Sequence, residues 1–334
     1  MARLGSWIEP FPEGIYVRPA DAWIDPSRPK ERALVTHGHA DHARGGHSAV
    51  WATPETLAIM ATRYGEQNGN PVAYGESFRV GKVDVRFVPA GHVLGSAQIV
   101  LEHAGERIVV SGDYKRREDP TCAPFEPVPC DIFITEATFG LPVFRHPPDT
   151  HEIAKLVKST EQFPERAHLV GAYALGKAQR VIRLIRDCGY SEPIFIHGAL
   201  AKLCDYYVGQ GIDLGDIRPA TIEKSSPDAF KGAVIVGPPS AFQDRWARRF
   251  NEPLIAFASG WMMVRQRAKQ GGVELPLVIS DHCDWPELLS TIEEIGPSEV
   301  WVTHGREEAL VRWCELKNIP ARPLHLVGYE DEGD

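Results

Sequence analysis

Val35-Thr36-His37-Gly38-His39-Ala40-Asp41-His42 is the stretch on which the reading of this chain turns. A short apolar run, Ala33–Thr36, delivers the backbone into an H-x-H-x-D-H array. Two histidines one residue apart on an extended turn can aim both imidazoles at one ion. Asp41 and His42, expected at the start of the next helix, can reach a neighbouring ion. A lone His-x-His reads as a pair of surface histidines, whereas the full array reads as a metal site. Histidine and carboxylate without thiolate suit zinc, and equally manganese or iron, so the donor types leave the metal open.

Working outward, other short strands also run into a histidine or a carboxylate. Val83, Val85 and Phe87 alternate as on a half-buried strand, and His92 follows in Ala90-Gly91-His92-Val93-Leu94-Gly95-Ser96. Arg107–Ser111 leads to Gly112-Asp113, a carboxylate that could bridge two ions. Ile132–Thr135 leads to Glu136, Leu277–Ser280 to Asp281-His282, and Val300–Thr303 to His304. Sites in sheet proteins gather at strand ends, where loops converge.

Between Glu136 and His282 the texture changes. Pro147-Pro148-Asp149-Thr150 reads as a helix start. Strands near His168–Ala172, Pro193–Ile196 and Ala233–Val236 alternate with helices near Lys177–Cys188 and Gln243–Phe250, as in a small parallel α/β unit. The expected organisation is a second domain at 151–251, inserted into a first domain built from 1–150 and 252–334.

At 334 residues with 43% hydrophobic and 24% charged side chains, two globular domains are expected and a disordered chain is excluded. Lys plus Arg number 36 against 45 Asp plus Glu, a net charge of −9, which argues against a basic nucleic-acid coat. A local basic groove stays open, because bound metal ions add positive charge. Its candidates are Lys115-Arg116-Arg117, Arg245 with Arg248-Arg249, and Arg265 with Arg267 and Lys269; Trp246 and Phe250 give the second cluster a single-strand-binding texture. Six scattered cysteines with no C-x-x-C pair suit a reducing compartment. The N-terminal residues lack the apolar core of a signal peptide, and no apolar run approaches a membrane span, so a soluble, cytoplasmic chain without a membrane role is expected.

Taken together, H-x-H-x-D-H, a downstream His92 and Asp113 after a strand resemble the metallo-β-lactamase superfamily. Asp25 in Trp23-Ile24-Asp25-Pro26 matches that superfamily's earlier structural Asp, which supports the metal loop. Glu136 in Thr135-Glu136-Ala137-Thr138, His282 in Ser280-Asp281-His282-Cys283-Asp284, His304 in Thr303-His304-Gly305, and Ala174-Leu175-Gly176-Lys177-Ala178-Gln179 resemble the β-CASP nuclease branch. Within it, the compact length and Ala22–Pro26 are most like bacterial DNA-ligase-associated exonucleases. His304 is a departure from the related crosslink-repair enzymes, which generally lack that histidine, and is shared with RNA-cleaving members.

The resemblance implies an α/β fold, an αββα sandwich with an inserted β-CASP domain. It implies two divalent ions, zinc first and manganese or iron as alternatives. His37, His39 and His92 would hold one ion, Asp41, His42 and His304 the other, and Asp113 would bridge. Asp41, His282 and Glu136 are the catalytic candidates, with His282 as the acid and Glu136 orienting it. Lys177, Ser259, Gly260, Arg265 and Arg267 are candidates for holding a terminal phosphate and the strand. The implied activity is a 5′-to-3′ DNA exonuclease acting on 5′-phosphate ends, with a ligase and a helicase as functional partners. The alternatives are a β-CASP RNA nuclease, a thioesterase or lactonase of the same superfamily, and a non-catalytic scaffold.

Overall fold

The computed structural model describes residues 4–221, 230–324 and 326. The chain divides into two compact units: one runs to Arg145 and resumes at His282, and the other is His146–Asp281. Both mix strands and helices, so the class is α/β.

In the first unit, six short strands form one sheet in chain order: β1 (Ile8–Phe11), β2 (Gly14–Val17), β3 (Ala22–Ile24), β4 (Ala33–Leu34), β5 (Val50–Ala52) and β6 (Gly69–Pro71). A second sheet holds β7 (Ser77–Val80), β8 (Val83–Pro89), β9 (Ala97–His103), β10 (Glu106–Val110) and β11 (Ile132–Ala137). It is completed by β18 (Glu299–Gly305) and β19 (Ala321–Pro323), in the order β19-β18-β11-β10-β9-β8-β7. The period-2 alternation of its strands decides what each face meets. Val85, Phe87, Ile99, Leu101, Ile108, Ile132, Ile134 and Trp301 pack with Ile15, Ile24 and Leu34 of the first sheet. The residues between them, including Val100, Val109, Phe133, Val300 and Val302, face Trp285, Leu288 and Ile292 of α6 (Trp285–Ile295) and Leu310 and Cys314 of α7 (Glu307–Leu316). The outer face of the first sheet, through Ala33, Val50 and Ala52, receives Met60 of α1 (Pro54–Tyr64). Central strands buried on both faces explain why 108–110, 132–134 and 300–302 are unbroken apolar runs.

The second unit has one six-stranded sheet, every pair parallel: β12 (His168–Gly171), β13 (Ile194–Ile196), β14 (Ile217–Pro219), β15 (Val234–Gly237), β16 (Leu254–Ala258) and β17 (Leu275–Leu277), ordered β14-β13-β15-β12-β16-β17. Its helices include α2 (Asp149–Gln162), α3 (Lys177–Asp187), α4 (Ala201–Gly209) and α5 (Arg265–Gln270). The sequence expectation ended this unit at 251, and the structure carries it to Asp281. The reason is pairing: β16 hydrogen-bonds β12, and β17 hydrogen-bonds β16, so 252–281 completes this sheet. The expected helix at Gln243–Phe250 is instead two 3₁₀ turns, Pro239–Gln243 and Ala247–Arg249. No helix begins at Asp41 either; 39–43 is a turn in which the amides of His42 and Ala43 donate to the His39 carbonyl, 3.2 and 2.7 Å.

Two glycines let the functional strand ends approach. Gly112 has φ +57°, and a Cβ there would lie 2.8 Å from Thr36 Cβ. Gly305 has φ +93°, and a Cβ there would lie 2.2 Å from the Ala137 carbonyl oxygen. Gly305→Ala is therefore expected to lower the melting midpoint, costing more than the ~1–2 kcal/mol of a left-handed L-residue alone. An unchanged midpoint would contradict this close passage of β18 past β11.

Candidate metal centre

Asp25 starts the construction. It holds a left-handed conformation, φ 44°, unusual for a residue with a side chain. Its Oδ1 accepts the Thr36 amide at 2.8 Å, and its Oδ2 accepts the Thr36 hydroxyl at 2.6 Å. With its proton given to Asp25, Thr36 Oγ1 accepts from His37 Nδ1 at 3.0 Å. The same Oδ2 accepts from His42 Nδ1 at 2.8 Å. One carboxylate thus fixes two imidazoles in the tautomer that turns Nε2 toward the site. His304 repeats the device: its Nδ1 lies 3.0 Å from Thr303 Oγ1, which donates to the Thr135 carbonyl. His92 is held from its backbone, since Ser96 Oγ accepts the amides of His92 and Val93 at 3.1 and 3.2 Å.

All of this converges on Asp113, only 4% exposed. Its Oδ2 lies 3.4 Å from His37 Nε2, 3.4 Å from His42 Nε2 and 3.8 Å from His92 Nε2. Its Oδ1 lies 3.0 Å from His304 Nε2. His39 turns the other way and presents Nδ1, 3.2 Å from His37 Nε2 and 3.0 Å from His92 Nε2. Donor atoms of His37, His39, His92 and Asp113 form one group that could hold an ion, and those of His42, Asp113 and His304 another. A tetrahedral ion with bonds of ~2.0–2.1 Å to its donors sets them roughly 3.3 Å apart, so the observed spacings fit one. Asp41, expected among the ligands, stands outside both groups; its carboxylate lies 3.7 Å from His42 Nε2.

A third group shares the same carboxylate: Asp113, Glu136 and His282. Glu136 sits where the β11–β18 register slips, between Thr135 and Ala137. Its two oxygens lie 2.9 and 3.0 Å from His282 Nδ1, and they also accept the amides of Tyr114 and Thr138. The His282 ring stands 4.7 Å from that of His92. The remaining candidates lie in the second unit. Lys177 is buried, with its ammonium 2.9 Å from Asp281 Oδ2, so its charge is matched there. Ser259 Oγ accepts the Trp261 amide, Gly260 opens the following 3₁₀ turn, Arg265 begins α5, and Arg267 lies over the Trp261 ring at 3.9 Å. Of the basic clusters, Arg116 pairs with Glu294 and Arg117 with Asp284 and Glu287, which leaves that cluster spent on internal contacts. Thr36 and Thr303 are the functional residues that reading the histidines alone misses. The repeated Thr-His dipeptide at two strand ends was the available signal.

Electrostatics follow from burial. Burial and the neighbouring His42 charge hold His37 well below its ordinary pKa, so it is neutral. For His42 burial opposes the charge, and Asp113 and Asp41 overcome it, raising its pKa well above 6.5. Burial would raise Asp113, but the facing His42 and its hydrogen bonds from His304 and His42 hold it well below the usual carboxylate range. Glu136 is likewise lowered, His282 outweighing burial. The metal-free chain therefore carries a proton on His42 that an incoming cation must displace. Titrating Zn²⁺ into metal-free protein is expected to release protons, so the calorimetric heat should change with the buffer's ionisation enthalpy. Affinity should rise with pH through the raised His42 pKa, because the proton competes with the metal below it. Heat independent of buffer would place the metal elsewhere.

Among the described residues no helix is long and apolar enough to cross a membrane. No protein-family model matches the chain. A protein of Opitutus terrae named "Probable DNA ligase" is 28% identical over 327 residues, covering 92% of this chain and 31% of that protein. "Endoribonuclease YSH1" of Eremothecium gossypii is 31% identical over a 431-residue alignment, 98% of this chain and 54% of that protein. "Cleavage and polyadenylation specificity factor subunit 3" of Dictyostelium discoideum is 31% identical over 185 residues, 52% of this chain and 24% of that protein. The chain thus spans about a third of the first relative and about a quarter of the last. A crystal structure of a protein of unknown function from Enterococcus faecalis V583 superposes with TM-score 0.59 at 13% identity, covering 90% of this chain and 80% of that one, a likeness of fold alone. With these relatives beside the histidine and carboxylate motifs, the chain is a member of the β-CASP branch of the metallo-β-lactamase superfamily.

Proposed function

We propose that this chain is a metal-dependent phosphodiester hydrolase, a 5′-to-3′ DNA exonuclease that works in cytoplasmic DNA repair beside a ligase. The observation that carries the reading is the sharing of one carboxylate: Asp113 belongs to both imidazole groups and to the Glu136–His282 pair. We read the first unit as the αββα sandwich and the second as the inserted β-CASP domain. His37, His39, His92 and Asp113 would hold one divalent ion, and Asp113, His42 and His304 a second, with zinc favoured and manganese or iron as alternatives. When bound, two such ions supply an ionised water near neutral pH and offset charge on the phosphoryl oxygens.

The chain's own groups account for the rest. Asp25 and Thr36 keep His37 and His42 aimed inward, and Thr303 does so for His304. The leaving oxygen of a broken phosphodiester needs a proton. His282 commits Nδ1–H to the ionised Glu136, so the proton it can give sits on Nε2. Glu136 keeps that tautomer in place. Asp41, beside His42, would adjust the second ion's surroundings.

DNA as substrate is supported by the relative named as a DNA ligase, aligned along 92% of this chain. A second reading, an RNA nuclease, is favoured by His304 and by the relatives named endoribonucleases. Incubating metal-loaded protein with matched 5′-phosphate DNA and RNA strands separates them. Progressive shortening of DNA from its 5′ end is expected; cutting of RNA alone would transfer the assignment, and no cutting of either would end the nuclease reading.

Two variants separate the roles. Asp113→Ala is expected to lose bound metal and turnover together. His282→Ala is expected to keep its metal content while kcat falls roughly 10²–10⁴-fold. Wild-type turnover in His282→Ala would remove the acid from the scheme.

A further inference from the structure

In the second unit all six strands are parallel, so their C-terminal ends lie along one edge. Open parallel sheets bind ligands at that edge. Here β12 ends on Gly171, β13 runs into His197, and β15 ends on Gly237. The Phe242 ring rests on the two glycines: a Cβ would lie 3.4 Å from it at Gly171 and 3.2 Å at Gly237. Trp246 stacks on Phe242 with 13° between planes, and His197 meets Trp246 edge-on at 4.8 Å. Trp246 is only half-buried, although it packs against the unit's core.

Around this aromatic step the charge is one-sided. Arg245, Arg248 and Arg249 are exposed, and none has an ion pair or side-chain hydrogen bond among the described residues; Asp244 is the one acid within 242–249. Arg18, Arg79, Arg107, Arg166, Arg183, Arg218 and Arg312 are each matched by a carboxylate, whereas these three lie together without one in a chain of net charge −9. Burial lowers the His197 pKa, so the positive charge comes from the arginines. Unmatched guanidinium groups beside a partly open indole are the combination that holds phosphates and stacks a base.

We propose that Arg245, Arg248, Arg249 and Trp246 form a binding step for single-stranded nucleic acid, on a unit that contains none of the candidate metal ligands. It rests on the nucleic-acid reading above and adds where a strand longer than the scissile segment is gripped. The arginines take backbone phosphates and Trp246 takes one base face, so the step is tolerant of sequence.

The test is anisotropy of a labelled phosphorothioate oligothymidylate, which resists hydrolysis, on the metal-loaded full chain. The Arg248→Glu, Arg249→Glu variant is expected to weaken binding and to lower the salt slope by roughly 1.4, at about 0.7 per phosphate contact. A control with the same charge change at the exposed Arg28 and Arg79 should keep the wild-type slope. Trp246→Phe should weaken binding by less than the stacking loss of roughly 5- to 150-fold seen for full removal, with the slope unchanged. Equal slopes in all variants, or no binding by the wild type, would overturn the proposal. Unmodified 5′-phosphate DNA left uncut by protein that grips the probe through this step would leave the step standing and remove the exonuclease reading; unmodified DNA cut by protein whose binding is indifferent to these changes would do the reverse.

Discussion

The buried carboxylate of Asp113 is the constraint around which the first unit is arranged. A carboxylate this far from water is expensive unless cations or donors face it. Four imidazoles do, from two separate loops and one strand end, at 3.0–3.8 Å. None of those histidines is near another in sequence except within 37–42, so the arrangement depends on the sheets bringing β4, β8, β10 and β18 to a common edge. In the metal-free chain the charge on His42 serves as the counter-ion; bound cations would take over that role. Folding, protonation and metal uptake are thereby linked at one residue.

Around that point, support is layered so that imidazole orientation is decided by neighbours. Asp25 governs two histidines through Thr36 and directly, and its strained backbone is a cost the fold accepts to place both carboxylate oxygens. Glu136, brought to the site by the β11–β18 register shift, performs a similar service for His282 outside the two imidazole groups. Under the proposed function, this separate orientation would allow ligation and proton transfer to be divided among histidines of the same type.

Much of this was legible from residue order, because His, Asp and Glu at strand ends are chemically distinctive. The six transitions from strand to histidine or carboxylate were visible as apolar runs, and donor atoms of His37, His39, His92 and Asp113, and of His42, Asp113 and His304, lie close together. Asp41 was less readable: adjacency to His42 in sequence did not put its oxygen into either donor group. The threonines were not read at all, since a hydroxyl beside a histidine is common and its partner lies on another strand. The far boundary of the second unit escaped because β16 and β17 are short strands whose membership is decided by pairing with β12, a non-local fact. Residue order also does not reveal that Lys177, at a helix start, meets Asp281 more than 100 positions away.

The most direct test of the account is anomalous diffraction at the zinc edge from crystals of the zinc-loaded chain. The account predicts two peaks that share Asp113, one enclosed by His37, His39 and His92 and the other by His42 and His304. A single peak, or peaks that leave Asp113 uncoordinated, would contradict the shared carboxylate and with it the two-ion reading of the site.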